Sequence, residues 1–464
     1  MRLYNTLTRQ VDQVVPVDDR HVRMYSCGPT VYRYVHLGNL RTFMLGDLIA
    51  RGLEFEGYAV TQVMNITDVG HMTDESSPEA IDKMLLAMED EGLQPLEIAA
   101  KYTAAALDDM AALGIRVPSL LPKATDHIAE MIEMTGRLIE RGHAYVVETG
   151  SVYFDVTSFE GYGKLSGNTL ENLKVGHRDL ETDPRKRHDA DFALWKAAGP
   201  GRVMKWDSPW GEGFPGWHIE CSAMSMKYLG DRFDIHTGGN DLRFPHHEDE
   251  IAQSEGSVGH QVISVWVHGG HLRLAGQKIA KSSGNVVRVS ELVEQGLDPL
   301  SFRWLTSQTR YRSEMDFTWD AMKDADDRVK QLRRRMAEWA PGATELGEEA
   351  THADDRFRTA IASDLDMPAA VVVVNDLVRS PDVPGGEKYA LLVSWDRVLG
   401  LDLEREATTT WEPTEEMHAL MDERDAARAA KDFAASDQLR DRLTALGLEV
   451  MDNPAGTKVR PRDH

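Results

Sequence analysis

Two stretches of the chain alternate short β-prone runs with a helix, and this alternation constrains the fold more than any other feature. Residues 21–27 form a β-prone run. A helix follows from Asn39, with Leu40, Met44 and Leu48 one turn apart on one face and Gly57 ending the pattern. Residues 58–66 are β-prone again. Two strands joined through a helix form a βαβ unit, and such strands pair in parallel. A second passage of this kind runs from residues 233–236, through a helix beginning near Pro245, to residues 262–267. Pro245 suits the first helical turn, where its missing N–H costs nothing. Between the two lies a polar stretch, roughly 118–201, with Gly150, Gly161, Gly163 and Gly167. It reads as an insertion between the halves of one doubly wound parallel sheet, so the expected class is α/β.

Beyond about residue 315 the pattern changes to long amphipathic helices, punctuated by Pro341-Gly342 and by residues 381–386. Two short helices, 415–430 and 436–446, and a hairpin-like tail end the chain. Leu439, Leu443 and Leu446 share a face of the second, and Gly447 suits the residue just past its end. A chain of 464 residues suggests about three domains. With 42% hydrophobic and 28% charged residues it reads as a folded globular protein, not a disordered one. No apolar run is long enough to span a bilayer, and the first residues carry no signal-peptide pattern. Two cysteines make no disulfide framework, so a cytoplasmic address is expected.

The net charge of −24 argues against indiscriminate DNA binding. A local basic stripe is enough for phosphate contacts. Arg328, Lys330, Arg333, Arg334 and Arg335 form one, and Lys458, Arg460 and Arg462 another. Each reads equally as a solvated face.

Both cysteines sit close to glycine. Cys27 precedes Gly28-Pro29-Thr30, and Cys221 closes Gly216-Trp217-His218-Ile219-Glu220-Cys221. Downstream, His246 and Glu250 are four apart, hence on one helical face. Two soft sulfurs, an imidazole and a carboxylate suffice for a tetrahedral zinc site. Such an ion would bind a substrate thiol as thiolate and take a hydroxyl far less well. The competing reading is two buried thiols acting as small hydrophobes, with Trp217 a core aromatic.

Three further motifs suit phosphates. His36-Leu37-Gly38-Asn39 sits where a loop enters a helix, a natural anion site. Lys278 and Lys281 lie in a loop between Gly276 and Gly284 and can neutralise charge that develops on a leaving pyrophosphate. Gly238-Gly239-Asn240-Asp241 follows a strand end, where glycine admits a nucleotide and Asp241 can accept from a ribose hydroxyl.

Together, these motifs on a split parallel sheet resemble a class I aminoacyl-tRNA synthetase. The match narrows through Asn5-Thr6-Leu7-Thr8, Cys27-Gly28-Pro29-Thr30-Val31-Tyr32, Asn65-Ile66-Thr67-Asp68-Val69, the segment 216–224 and the segment 244–253. It continues in the tail through Ala427-Arg428, Lys431-Asp432, Ala435, Asp437, Arg440-Asp441 and Gly456-Thr457. Over essentially its whole length the chain resembles the cysteinyl-tRNA synthetases.

The resemblance implies a Rossmann-like doubly wound sheet split by an insertion, then a helical bundle and a small C-terminal α+β anticodon-binding module. The implied divisions are 1–117 and 202–270 for the two halves of the catalytic domain and 118–201 for the insertion. They continue with 271–314 for a stem-contact region, 315–405 for the bundle and 406–464 for the anticodon module. It implies Zn²⁺ on Cys27, Cys221, His246 and Glu250, with Thr67 and Trp217 lining the amino-acid pocket. His36 and Asn39 match the family's "HIGH" signature, and Lys278 and Lys281 its "KMSKS" signature. ATP would meet His36, Gly38, Asn39, Gly239, Asp241 and Lys281, accompanied by Mg²⁺. The implied partners are L-cysteine, ATP and tRNA(Cys), with no membrane, and the expected state is a monomer. The sequence departs from the family pattern at Asn39 (the second His of HIGH) and at Ile279 and Ala280 (Met and Ser of KMSKS). It departs again at Gly70-His71 and at Val459. Two other functions fit parts of this pattern: a ligase joining cysteine to a small amine, as in mycothiol synthesis, and an inactive RNA-binding paralogue. The tail beyond about 405 weighs against the first, and the intact zinc and lysine positions against the second.

Overall fold

The computed structural model describes residues 1–70, 87–88, 91–168, 170, 183–274, 277–278, 286–339, 345–405, 413–453 and 456–461. The chain divides into two compact units, Met1–Glu404 and Arg405–His464.

The first unit opens with an antiparallel hairpin, β1 (Arg2–Asn5) and β2 (Gln10–Gln13). Next come β3 (His21–Ser26), α1 (Leu37–Phe55) and β4 (Ala59–Met64). The helix starts two residues before Asn39, because the His36 side chain caps it by accepting from the Gly38 and Asn39 N–H groups. It ends at Phe55, two residues before Gly57, whose φ of 86° is a left-handed conformation that a side chain would resist. Leu40, Met44, Ile49 and Leu53 are buried against the sheet. Each such side chain contributes about 1.5–3 kcal/mol by leaving water.

Further along lie α2 (Pro95–Ala112) and α3 (Ile128–Glu140). They lead into an antiparallel sheet of β5 (Ala144–Val146), β6 (Val152–Phe154), β7 (Phe192–Ala197) and β8 (Gly213–Pro215), in that order. This second sheet reaches past residue 201 into the segment that returns to the main sheet. There α4 (Trp217–Leu229), β9 (Phe233–Gly239), α5 (His246–Val258) and β10 (Ile263–Gly269) complete the second βαβ passage. Pro245 stands at the cap position of α5, one residue before the first helical turn where it was expected.

The main sheet runs β10-β9-β3-β4, all parallel. Every residue of β9 is buried, as expected for a parallel strand covered on both faces. From β3 the chain steps outward to β4, and from β9 it steps the opposite way to β10. The topological switch point therefore falls between β3 and β9, and a crevice opens beyond their carboxyl ends.

A small sheet of β11 (Leu272–Leu274), β12 (Gln277–Lys278) and β13 (Met315–Phe317) follows. Between β12 and β13 lie α6 (Val289–Glu294) and α7 (Ser301–Ser307). Four helices close the unit: α8 (Trp319–Glu338), α9 (Glu348–Ala362), α10 (Met367–Arg379) and α11 (Gly385–Leu399). A buried ionic knot ties α1 to α7. Asp47 takes Arg51 at 2.8 Å, Arg303 at 2.9 Å and Arg116 at 3.2 Å.

The basic stripe at 328–335 is not a solvated cationic face. Arg333 is buried, pairs with Asp298 and donates to the Leu401 and Asp402 carbonyls. Lys330 pairs with Asp326, and Arg335 with Glu338. The clustering of like charges in the sequence hid the fact that α8 turns them to different surroundings.

The second unit contains α12 (Glu415–Ala429), α13 (Phe433–Ala445) and an antiparallel hairpin of β14 (Leu448–Asn453) and β15 (Gly456–Pro461). Leu420, Leu443 and Leu448 form its core. Leu439 packs against that core, whereas Leu446 is exposed. Thr457 donates to Asp425 and accepts from Arg424, which fixes the hairpin to α12. The side chains of Lys458 and Arg460, and Arg462 altogether, lie outside the described residues.

Candidate functional site

The crevice at the switch point holds a cavity of about 480 Å³. Cys27, Thr67, Trp217, Cys221 and His246 line one end. His36, Gly38, Asn39, Gly239, Asp241 and His271 line the other. Residues far apart in the sequence meet here because β3, β4, β9 and β10 all end at this edge.

Cys27 leaves β3 directly. Gly28 follows because a Cβ there would stand 1.9 Å from the Asn65 carbonyl oxygen. Cys221 comes from the second turn of α4, and His246 and Glu250 from successive turns of α5. The four ligand atoms lie within 4.8 Å of one another, and all four residues are buried. The four positions chosen from the sequence therefore converge. A second set shares two of them, Cys27 and Glu250, and adds His236 and His247. The first set is the better candidate. It contains both sulfurs, and three of its members face the cavity, whereas His236 and His247 are fully buried behind it.

The first turn of α5 presents five consecutive buried polar residues, 246–250, which demands partners on every side. They are present. Glu248 accepts from the Ser166 N–H at 2.7 Å. Asp249 accepts from the Tyr162 hydroxyl and lies 3.3 Å from His218 Nε2. Glu250 holds His246 at 3.0 Å through one oxygen and His236 at 2.8 Å through the other. His247 bonds His268 at 2.8 Å, and His268 bonds Thr6 at 2.8 Å.

These contacts sort the charges. Burial alone would lower His246, but hydrogen bonds with Cys221 and Glu250 push it up to about 10. Burial alone would raise Glu250, but the His236 charge and the hydrogen bonds from His236 and His246 pull it down to about 2. Burial drives His268 down to about 3 and His247 well below the usual imidazole range. Burial and the neighbouring Cys221 push the Cys27 thiol up, while a hydrogen bond from Cys27 brings Cys221 down to about 7. Two sulfurs in a dry pocket cannot both ionise without a counter-cation. The donor set of two sulfurs, one imidazole and one carboxylate suits Zn²⁺.

Thr67 is buried beside this cluster. Its hydroxyl donates to Glu220 at 3.0 Å and accepts from Asn65 at 2.9 Å. Trp217 stays 38% exposed, its ring 4.4 Å from that of His246, so it forms a wall and not a core aromatic. At the other end, His36 Nδ1 accepts from the Gly38 and Asn39 N–H groups, which places the neutral ring's proton on Nε2 as a donor. Asn39 Oδ1 accepts from the His36 N–H, leaving its NH₂ to donate. Asp241 lies 3.8 Å from His271 in a short turn after β9. Lys278 is in β12, paired across to Arg273, but its side chain and the whole of Lys281 lie outside the described residues.

His236, His247, His268, Glu220 and Asn65 also belong to the site, and sequence reasoning assigned them no role. The available signal was the density of polar residues in segments that otherwise read as core strand and helix, notably His236 inside Phe233–Gly239.

Comparison with known proteins follows the same division. Residues 13–327 match the model for tRNA synthetases class I (C) catalytic domain, and residues 412–460 that for the cysteinyl-tRNA ligase anticodon binding domain. The cysteine–tRNA ligase of Salinibacter ruber is 42% identical, over 100% of this chain and 98% of its own. That of Thermus thermophilus is 44% identical, over 99% and 98%. Among solved structures, Mycobacterium tuberculosis methionyl-tRNA synthetase in complex with methionyl-adenylate aligns with a TM-score of 0.56 at 16% identity. That alignment covers 90% of this chain and 96% of the other and shows a shared fold. The chain belongs to the cysteine–tRNA ligase family, class I aminoacyl-tRNA synthetases with a cysteinyl-type anticodon-binding domain.

Proposed function

We propose that the chain activates L-cysteine with ATP and transfers the cysteinyl group to the 3′-terminal ribose of tRNA(Cys). The observation that carries this reading is the meeting of Cys27, Cys221, His246 and Glu250 at one end of a cavity whose other end is the capped turn 36–39. In this reading those four residues hold Zn²⁺, which when bound supplies capture of the substrate sulfur as thiolate, a contact a serine hydroxyl cannot match. Trp217 and Thr67 enclose the amino acid. The cysteine carboxylate attacks the α-phosphorus of ATP, the bond to the β-phosphate oxygen breaks, and pyrophosphate leaves. His36 Nε2–H and the Asn39 NH₂ donate to phosphate oxygens as charge develops there, together with the positive end of α1. Gly239 lets the nucleotide approach β9, Asp241 accepts from a ribose hydroxyl, and Lys278 and Lys281 neutralise pyrophosphate. Mg²⁺ accompanies ATP.

The division of the catalytic and helical segments at 117, 201, 270, 314 and 405 is part of this proposal, as are a monomeric state and a cytoplasmic address. Among the described residues no helix is long and apolar enough to cross a membrane. A ligase acting on a small amine would use the same cavity, but it has no need of an anticodon-binding module.

The test is ATP–pyrophosphate exchange with cysteine and with serine, then charging of a tRNA(Cys) transcript, on protein of measured metal content. Exchange with cysteine alone, charging of the transcript and stoichiometric zinc are expected. A metal-free active preparation, or equal use of serine, would overturn the reading.

A further inference from the structure

Two cations of the α8 stripe, Arg328 and Arg335, take no part in the site described above. With Trp339 they lie along one face at the end of α8. They border a cleft of about 360 Å³, bounded also by Arg379 in the last turn of α10 and by Lys388 of α11. Among the described residues, four cations and no carboxylate line this cleft. In a chain of net charge −24 that runs against the average. The nearby acids are engaged elsewhere. Asp376 pairs with Arg356 at 2.9 Å, and Glu387 accepts from the Gly347 N–H at 2.7 Å. Glu338 meets Arg335 at 3.0 Å but does not line the cleft. Neutral groups hold two of the cations in place. Arg328 donates to the Gln331 and Asn375 side-chain oxygens, and Lys388 to the Val378 and Ser380 carbonyls at 3.3 and 2.5 Å. Such partners fix the heads without cancelling their charge. Burial lowers the Arg328 guanidinium, and the Arg379 and Arg335 charges lower it further. Like charges gathered in this way are relieved when an anion enters.

We propose that the cleft between α8, α10 and α11 is a binding site for phosphate groups, separate from the catalytic cavity. The two share no lining residue. Arginine presents paired N–H donors that match phosphate oxygens. Four cations converging on one space balance more than one negative charge, which favours phosphate over a single carboxylate. Trp339 forms a wall, its ring centroid 5.3 Å from the Lys388 ammonium. The phosphate is supplied either by the backbone of a bound RNA or by a free polyphosphate, since both offer the same oxygens. The inference is independent of the zinc reading.

The experiment compares wild type with Arg335→Gln/Arg379→Gln and Arg335→Lys/Arg379→Lys in the full-length chain. Both positions are exposed, so the variants should fold as wild type does. One arm measures binding of a tRNA(Cys) transcript across a range of salt. If the phosphate is RNA backbone, the Gln variant should bind about five- to eightfold more weakly per lost contact at 0.1 M salt. Its salt slope should be smaller by about one for each cation removed. The other arm titrates tripolyphosphate by calorimetry. If the phosphate is free, the Gln variant should take up one equivalent less than wild type, with RNA binding unchanged. The Lys variant should keep wild-type behaviour in both arms, because the charge remains. Gln and wild-type proteins that agree in both arms would overturn the proposal, as would equal losses in the Gln and Lys variants. Cysteine-dependent ATP–pyrophosphate exchange should be the same in all three proteins. Its loss in the Gln variant would overturn the separation of this cleft from the catalytic cavity.

Discussion

At the Cys27 end of the crevice the polar groups are buried and nearly all bonded to one another. At the His36 end they are half-exposed, and the main fixed bonds are those of a helix cap. The first end is built from β3, β4, β9 and β10 with α4 and α5, and buried side chains back one another there, as His236 backs Glu250 and His268 backs His247. The second end centres on one turn, 36–39, where His36 Nδ1 and Asn39 Oδ1 accept from the backbone at the start of α1. A rigid, dry cluster suits a group that must reject serine by chemistry rather than by size. An open end at a helix N-terminus suits a nucleotide that arrives and leaves as two products.

The largest expected effect is at the closed end. Cys221→Ser should release the metal and lower cysteine-dependent exchange by more than about 100-fold, beyond what loss of a supporting partner does. Metal analysis and exchange on one preparation check it. At the open end, His36→Ala should leave metal content intact. Its exchange rate should fall about 100-fold from loss of an oxyanion donor, with about 1 kcal/mol of stability lost with the cap. If both variants lost metal, the two ends would not be separable.

Asp47→Asn lies behind the open end and should do the reverse. It leaves Arg303 buried without its carboxylate, which costs about 3–5 kcal/mol. Exchange per folded molecule should hardly change. Burial raises the Asp47 carboxyl, but Arg303 and Arg51 outweigh it and hold the group below its ordinary value. A depressed folded value means that this stabilisation is fully present above about pH 3.9 and is lost as pH falls through the folded value. The gap between wild type and Asp47→Asn in urea unfolding should therefore narrow only in strong acid.

The smallest effect is expected for Glu220→Gln. Burial pushes the Glu220 carboxyl well up, so the neutral form is favoured and an amide replaces it with little electrostatic change. Exchange within about threefold of wild type is expected, since a neutral carboxyl and an amide share the acceptor that Thr67 uses. A large rise in the KM for cysteine would show instead that a charged Glu220 meets the substrate.

Much of this was legible in the chain itself. Residues 21–66 and 233–267 announced parallel βαβ passages because side-chain periodicity is a local property. The spacing of His246 and Glu250 was readable for the same reason. The order β10-β9-β3-β4 was not, since nothing local states which strands are neighbours across so long a gap in the chain. His236 was passed over because a histidine inside a strand reads as core until Glu250 is seen 2.8 Å away. Arg333 was misread as surface because only the fold shows Asp298 and the carbonyls of residues 401 and 402 converging on it.

What the sequence determined alone was the two βαβ passages, the helical character beyond about residue 315, the spacing of His246 and Glu250 and the helix-entry turn, all fixed by short-range patterns. Only the tertiary structure decided that β3 and β9 lie side by side, which turns distant loops into one cavity. It alone showed which buried polar side chains meet as partners, as Glu250 meets His236. Those facts depend on burial and on distances across the chain, and neither is encoded in any single segment.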